Sequence, residues 1–213
     1  MGGERIGNQV ILKRVDEYYT RRLAEHGATH WGVDWNSQES QILRFDQLLG
    51  IVGSDRHGSI LDYGCGYGAM ARHLRNCGHT GSYHGFDISE AMIGEAQRQQ
   101  SDLSNCTFIH DLSLLRQADY TIASGIYNVK QETPDNEWQA YVVDTIRHIA
   151  GLTNKGFSFN MLTSYSDPEK MRPDLFYGDP KFFIDHCIRT YSRHVAMLHN
   201  YGLYEFTILV RLR

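Results

Sequence analysis

Three glycines at alternate positions, Gly64, Gly66 and Gly68, punctuate the stretch Leu61-Asp62-Tyr63-Gly64-Cys65-Gly66-Tyr67-Gly68. Glycine lets a backbone turn sharply and lets a ligand lie against main-chain N–H groups, so this stretch can cradle a nucleotide-like ligand. Asp87 follows nineteen residues after Gly68. At that separation a carboxylate can accept hydrogen bonds from both hydroxyls of a ribose. Asp111, after His110, and the run Ser124-Gly125-Ile126-Tyr127-Asn128 close two further apolar segments. A dinucleotide fingerprint would carry its third glycine one position later, and no lysine of the Walker type follows the loop. The pattern therefore favours a nucleoside ligand and gives phosphate binding little support.

The elements that would position these residues are legible in order. Residues 8–26, with Val10, Ile11, Val15, Tyr18, Tyr19 and Leu23, are predicted to form a helix with one apolar face. A polar-aromatic link from Gly27 to Asn36 follows, and Ser37 is placed to cap a second helix through Leu49. Strands are predicted to end at Leu61, at Asp87, at Ile109, at Ala123 and, for 156–162, at Leu162. Helices are predicted near 70–75, 90–100, 134–150 and 180–189, and a terminal hairpin over 194–199 and 204–212. Alternating strands and helices with a closing hairpin predict a three-layer α/β fold with a mostly parallel sheet. In such sheets ligands bind at the carboxyl ends of the strands, where Gly64, Asp87, Asp111 and Ser124 all fall. We expect residues 1–36 to be an N-terminal helical lid and residues 37–213 the ligand-binding domain. Amphipathic aromatics in a lid exclude water and still offer hydrogen bonds.

Composition narrows the partners. The chain has 213 residues and a net charge of −4, with 41% hydrophobic and 22% charged residues. No lysine/arginine run is present, which argues against a nucleic-acid partner. No apolar run approaches the ~20 residues of a membrane span. Cys65, Cys77, Cys106 and Cys187 lack paired spacing, as expected of reduced thiols in a cytoplasmic protein. Neither His26 with His30 nor Asp185-His186-Cys187 has a second ligand pair at metal spacing, so no metal is expected.

The chain resembles the class I S-adenosylmethionine-dependent methyltransferases. Leu61 to Gly68 matches their first motif and Gly85-Phe86-Asp87-Ile88-Ser89 their second. His110-Asp111-Leu112 and Ala123 to Asn128 match the later strand-end motifs. The resemblance covers roughly residues 40–213 and implies the Rossmann-like fold of that family, seven-stranded with a C-terminal antiparallel hairpin. It implies S-adenosylmethionine as cosubstrate, with Gly64, Cys65 and Gly66 at its methionine part and Asp87 with Ile88 at the ribose. Asp111 and Leu112 would meet the adenine edge, and Ser124 and Tyr19 would complete the contacts. Arg44 is a candidate for the methionine carboxylate, through a bidentate pair.

The tetrapeptide Asn/Asp-Pro-Pro-Tyr/Phe, with which many relatives acting on nucleic acids and proteins hold a planar nitrogen, is absent; Ser-Gly-Ile-Tyr-Asn stands there instead. The expected acceptor is therefore a small amine or hydroxyl compound, methylated by a monomer or homodimer. A weaker resemblance points to azetidine-2-carboxylate synthases of the same fold, which cyclise S-adenosylmethionine and release methylthioadenosine. It is carried by Asn128, Tyr165 and Ser192, which would form a polar cage around a neutral amine.

Overall fold

The computed structural model describes residues 2–212, with side chains from residue 9; Met1 and Arg213, the outer bounds of the two expected segments, lie outside the described residues. Six α-helices and seven strands alternate: α1 (Gly2–His26), α2 (Gln38–Leu49), β1 (Ile60–Tyr63), α3 (Ala69–Asn76), β2 (Tyr83–Phe86), α4 (Glu90–Gln99) and β3 (Cys106–Ile109) come first. β4 (Ala118–Ala123), α5 (Asp135–Gly151), β5 (Thr153–Leu162), α6 (Pro180–Thr190), β6 (Val195–Leu198) and β7 (Glu205–Arg211) complete the chain. The strands form one sheet in the order β3-β2-β1-β4-β5-β7-β6. β1 to β5 run parallel, and β7 pairs antiparallel with both β5 and β6. The three-layer Rossmann-like fold expected from the sequence is the fold observed.

The sequence explains these elements locally. β7 buries six successive residues from Glu205 to Val210, the continuous burial of a strand covered on both faces. α5 places Trp138, Tyr141, Val142, Thr145, Ile146 and Ile149 on one buried stripe, as its spacing requires. Ser37 and Ser40 exchange side-chain and backbone bonds at 3.1 and 3.3 Å, a capping box that fixes where α2 begins. Strand order reverses between β1 and β4, so a crevice opens at their carboxyl ends.

α1 and the link behind it form one covering unit. Tyr18 donates to Asp34 at 2.7 Å, and Arg22 pairs with the same carboxylate at 2.7 Å. Arg22 also donates to the Trp31 carbonyl at 2.8 Å. Thr20 meets Ser89, the cap of α4, at 2.7 Å, which pins the unit across the crevice of its own chain.

Candidate active site

A cavity enclosing about 910 Å³ free of protein atoms, partly open to solvent, occupies the crevice. Its floor is the glycine loop after β1, its sides are the ends of β2 and β4, and its roof is α1 with Val33 and Trp35. The loop needs its glycines. Gly64, Gly66 and Gly68 all have positive φ, and a Cβ on Gly64 would overlap Ile126. The Gly64 and Cys65 N–H groups both donate to the Phe86 carbonyl, at 2.7 and 2.8 Å, which ties the loop to β2.

Asp87 closes the loop from the other side. Its Oδ2 accepts from the Gly66 N–H and its Oδ1 from the Ser89 N–H, both at 2.9 Å. Burial nonetheless pushes its carboxyl from an ordinary 3.8 up to about 6. Asp62, at the end of β1, accepts from the Tyr83 hydroxyl at 2.6 Å through Oδ2, while Oδ1 has no hydrogen-bond partner. Burial, with the nearby charge of Asp87, drives the Asp62 carboxyl to about 7. Ser124 Oγ, also in the cavity wall, is a second buried polar atom without a partner. Burial pushes the Cys65 thiol well above its ordinary value, which keeps it protonated and unreactive.

The two raised carboxyls set a pH dependence. A carboxyl whose folded pKa exceeds its unfolded value stabilises the fold below the unfolded value and loses that contribution as pH rises through the folded one. For Asp62 the window runs from about 4 to about 7, with an effect on the order of 4 kcal/mol. Asp62→Asn keeps an acceptor for Tyr83 and removes the charge. The variant is expected to gain stability over wild type at pH 8 and to lose that advantage at pH 4. Urea unfolding at the two pH values measures this; equal differences at both would refute the buried charge.

The sequence-predicted residues divide into two groups. Tyr19, Gly64, Cys65, Gly66, Asp87, Ile88 and Ser124 all line the cavity. Arg44 does not: its guanidinium pairs with the buried Glu205, donates to the Ser40 carbonyl at 2.8 Å and lies 4.0 Å from the centre of the Trp35 ring. That buried anion already takes the charge expected to meet a ligand carboxylate. Asp111 caps the short turn after β3 by accepting from the Ser113 N–H at 2.8 Å, and Leu112 is exposed; neither lines the cavity.

Asn128, Tyr165 and Ser192 do not meet. Asn128 is buried, its Oδ1 accepting from the Leu162 N–H at 3.1 Å and its carbonyl from Phe176 at 2.8 Å. Tyr165 is 58% exposed, its ring 6.2 Å from that of His199. Ser192 lies three residues before Val195, which opens β6 in register with Val210 and with Phe157 in the amino-terminal half of β5. The antiparallel return of β7 carries Ser192 to the sheet end opposite the cavity.

Sequence reasoning missed Asp62, Trp35, Gln41 and Tyr67 as wall residues. Tyr67 donates to Gln41 Oε1 at 3.1 Å within the wall. Gln41 lies three residues before Arg44, a polar position on the buried face of α2, and that was its one signal.

Comparison with known proteins agrees with this geometry. A family model described as a methyltransferase domain matches residues 60–150. A Mycobacterium tuberculosis protein named as a methyltransferase, Rv1506c, is 48% identical over 153 residues, 72% of this chain and 92% of the relative. Among solved structures, magnesium protoporphyrin IX methyltransferase of Synechocystis PCC 6803 with bound S-adenosylmethionine superposes with a TM-score of 0.63 at 18% identity, covering 97% of each chain. The N-methyltransferase NodS of Bradyrhizobium japonicum gives 0.65 at 16% identity, covering 92% of this chain and 97% of its own. With a close relative spanned almost end to end and the motif loop at the crevice, the chain belongs to the class I S-adenosylmethionine-dependent methyltransferases.

Proposed function

We propose that the cavity binds S-adenosylmethionine and that the chain transfers its methyl group to a small-molecule amine or hydroxyl. The observation that carries the binding reading is the pairing of a glycine cradle with two acids in one roofed cavity. The cradle leaves no room for a Cβ at Gly64, and the unpartnered Asp62 and Ser124 atoms supply acceptor capacity for a cationic, hydrogen-bonding ligand. Gly64 and Gly66 would take the methionine part and Asp87 the ribose, with Tyr19 and Trp35 excluding water from above. When bound, the cosubstrate supplies a sulfonium-activated methyl group that needs no further activation. The protein's work is alignment, desolvation and handling of the acceptor's proton.

The small-molecule reading rests on the aromatic roof of Tyr19 and Trp35 and on the absence of a lysine/arginine run in the sequence. It is consistent with solved neighbours whose names include methyltransferases of protoporphyrin and an N-methyltransferase. The second reading, ring closure of the cosubstrate on its own α-amine, finds no such support: Asn128, Tyr165 and Ser192, the residues that suggested it, are not brought together. In that reaction the amine loses its proton, the new nitrogen–carbon bond forms, and the carbon–sulfur bond breaks to leave methylthioadenosine.

A single chromatographic experiment separates the two. Incubation with S-adenosylmethionine and candidate acceptors is expected to yield S-adenosylhomocysteine above background, and incubation without acceptor is expected to yield neither thioether. Methylthioadenosine above the uncatalysed background together with a four-membered imino acid, both formed without acceptor, would overturn methyl transfer in favour of ring closure.

A further inference from the structure

Away from the cavity, on the outer face of α2 and α3, three side chains of different chemistry converge. His73 Nε2 lies 2.8 Å from Asp46 Oδ1 and 3.7 Å from Cys77 Sγ, and the three donor atoms all fall within 4.8 Å of one another. His73 and Cys77 are four residues apart at the end of α3, so the helix aims both the same way; Asp46 comes from α2. The Cys77 backbone is held by a bond from its N–H to the His73 carbonyl at 3.0 Å and by Arg56, which donates to its carbonyl. The His73 ring packs against Phe45, with ring centres 5.7 Å apart.

From this convergence we propose that Asp46, His73 and Cys77 bind a zinc-type divalent cation that clamps α2 to α3. One ring nitrogen faces both a carboxylate oxygen and a sulfur, and a single proton on it can serve only one of them. A dication serves both and also takes the thiolate. Around tetrahedral zinc, bond lengths of about 2.0–2.3 Å place donor atoms roughly 3.3–3.7 Å apart. The two measured separations, 2.8 and 3.7 Å, bracket that range and the third is within 4.8 Å, so side-chain rotations suffice to close the triangle. Nitrogen, sulfur and carboxylate donors together select zinc or cobalt over magnesium or calcium, which demand oxygen shells. Asp46 and Cys77 are exposed, so the fourth position faces water and ions can enter freely.

The role follows from the elements joined. α2 carries Gln41 into the cavity wall and Arg44 into the pair beneath it, and α3 continues directly from the glycine loop. An ion between them braces the floor of the cavity from outside and takes no part in the chemistry.

Titration of the reduced protein with Co²⁺ tests this. Wild type is expected to develop visible bands of a tetrahedral site and a thiolate-to-cobalt charge-transfer band, saturating at one equivalent and abolished by Zn²⁺. Cys77→Ser is expected to lose the charge-transfer band and His73→Ala the whole spectrum, with Asp46→Asn weakening binding about tenfold or more. Cys106→Ser, an independent thiol, is expected to behave as wild type. In parallel, Zn²⁺ at a hundredfold excess over Kd is expected to raise the wild-type Tm by roughly 5–10 °C and to leave His73→Ala unmoved. Absence of the cobalt spectrum in wild type, or its persistence in Cys77→Ser and His73→Ala, would overturn the site.

Discussion

Glu205→Ala is expected to lower the stability of the protein by about 3–5 kcal/mol, the cost of stranding a buried partner charge. The Glu205 side chain has no solvent exposure, and that of Arg44 has only 8%. Glu205 also accepts from Asn160 Nδ2 at 2.5 Å, and Asn160 Oδ1 in turn accepts from the Gly125 N–H at 2.8 Å. One carboxylate thus neutralises a cation from α2 and fixes an amide whose other end holds the loop after β4. Removing it leaves a guanidinium with only the Ser40 carbonyl and the face of Trp35, in a site that water does not reach. The loss should be recovered in large part by removing both charges together, as in Arg44→Met with Glu205→Leu, because a well-packed apolar pair avoids the desolvation of both ions. Urea unfolding of the single and double variants measures it. A single variant within about 1 kcal/mol of wild type would show that the pair is not the buried ionic centre described here.

Gly64→Ala is expected to destabilise the protein and distort the cavity. The residue sits at φ 87°, where an ordinary side chain costs about 1–2 kcal/mol, and the new Cβ would overlap Ile126. Overpacking of that kind adds about 1–3 kcal/mol, for a total near 2–5 kcal/mol. The displaced backbone also carries the N–H that donates to the Phe86 carbonyl, so the floor of the cavity should shift with it. Gly94→Ala is the matched control: it lies within α4 with open space around the added methyl, and alanine there should be neutral or stabilising by about 0.5–1 kcal/mol. Similar costs at the two positions would mean that the loop geometry is not what demands glycine.

Most of the fold was legible because its signals are local. Alternate glycines, the Ser37 cap, the helical stripe from Trp138 to Ile149 and the hairpin turn around Gly202 each declare themselves within a few residues. The limits of elements were less so. β5 begins at Thr153, three residues before the expected Gly156, because Asn154 and Lys155 are exposed and polar, although the strand pairs on past them. α1 reaches back to Gly2, and Gly2 and Gly3 give no helical signal. The site was half legible. Residues after β1, β2 and β4 line the cavity, where strand ends and loop spacing put them, whereas Asp111 and Leu112 after β3 do not. That Arg44 pairs with Glu205, 161 residues away, and stays out of the cavity wall was not legible, because pairing over that distance leaves no trace in local pattern. Ser192 was grouped with Asn128 by the weaker family resemblance, and only the antiparallel register of β6 and β7 shows that they occupy opposite ends of the sheet. Asp46, His73 and Cys77 escaped notice for the same reason as Arg44, since the third donor sits on a different helix.

In the proposed S-adenosylmethionine site, Asp87 is the residue whose removal should cost most in binding. Calorimetric titration of the whole chain with S-adenosylmethionine, wild type beside Asp87→Ala, examines that most directly. We predict one saturable site in wild type and a loss of about 1.5–3 kcal/mol in the variant, the cost of removing charge-assisted hydrogen bonds. No saturable binding to wild type, or equal affinity in the two proteins, would contradict it.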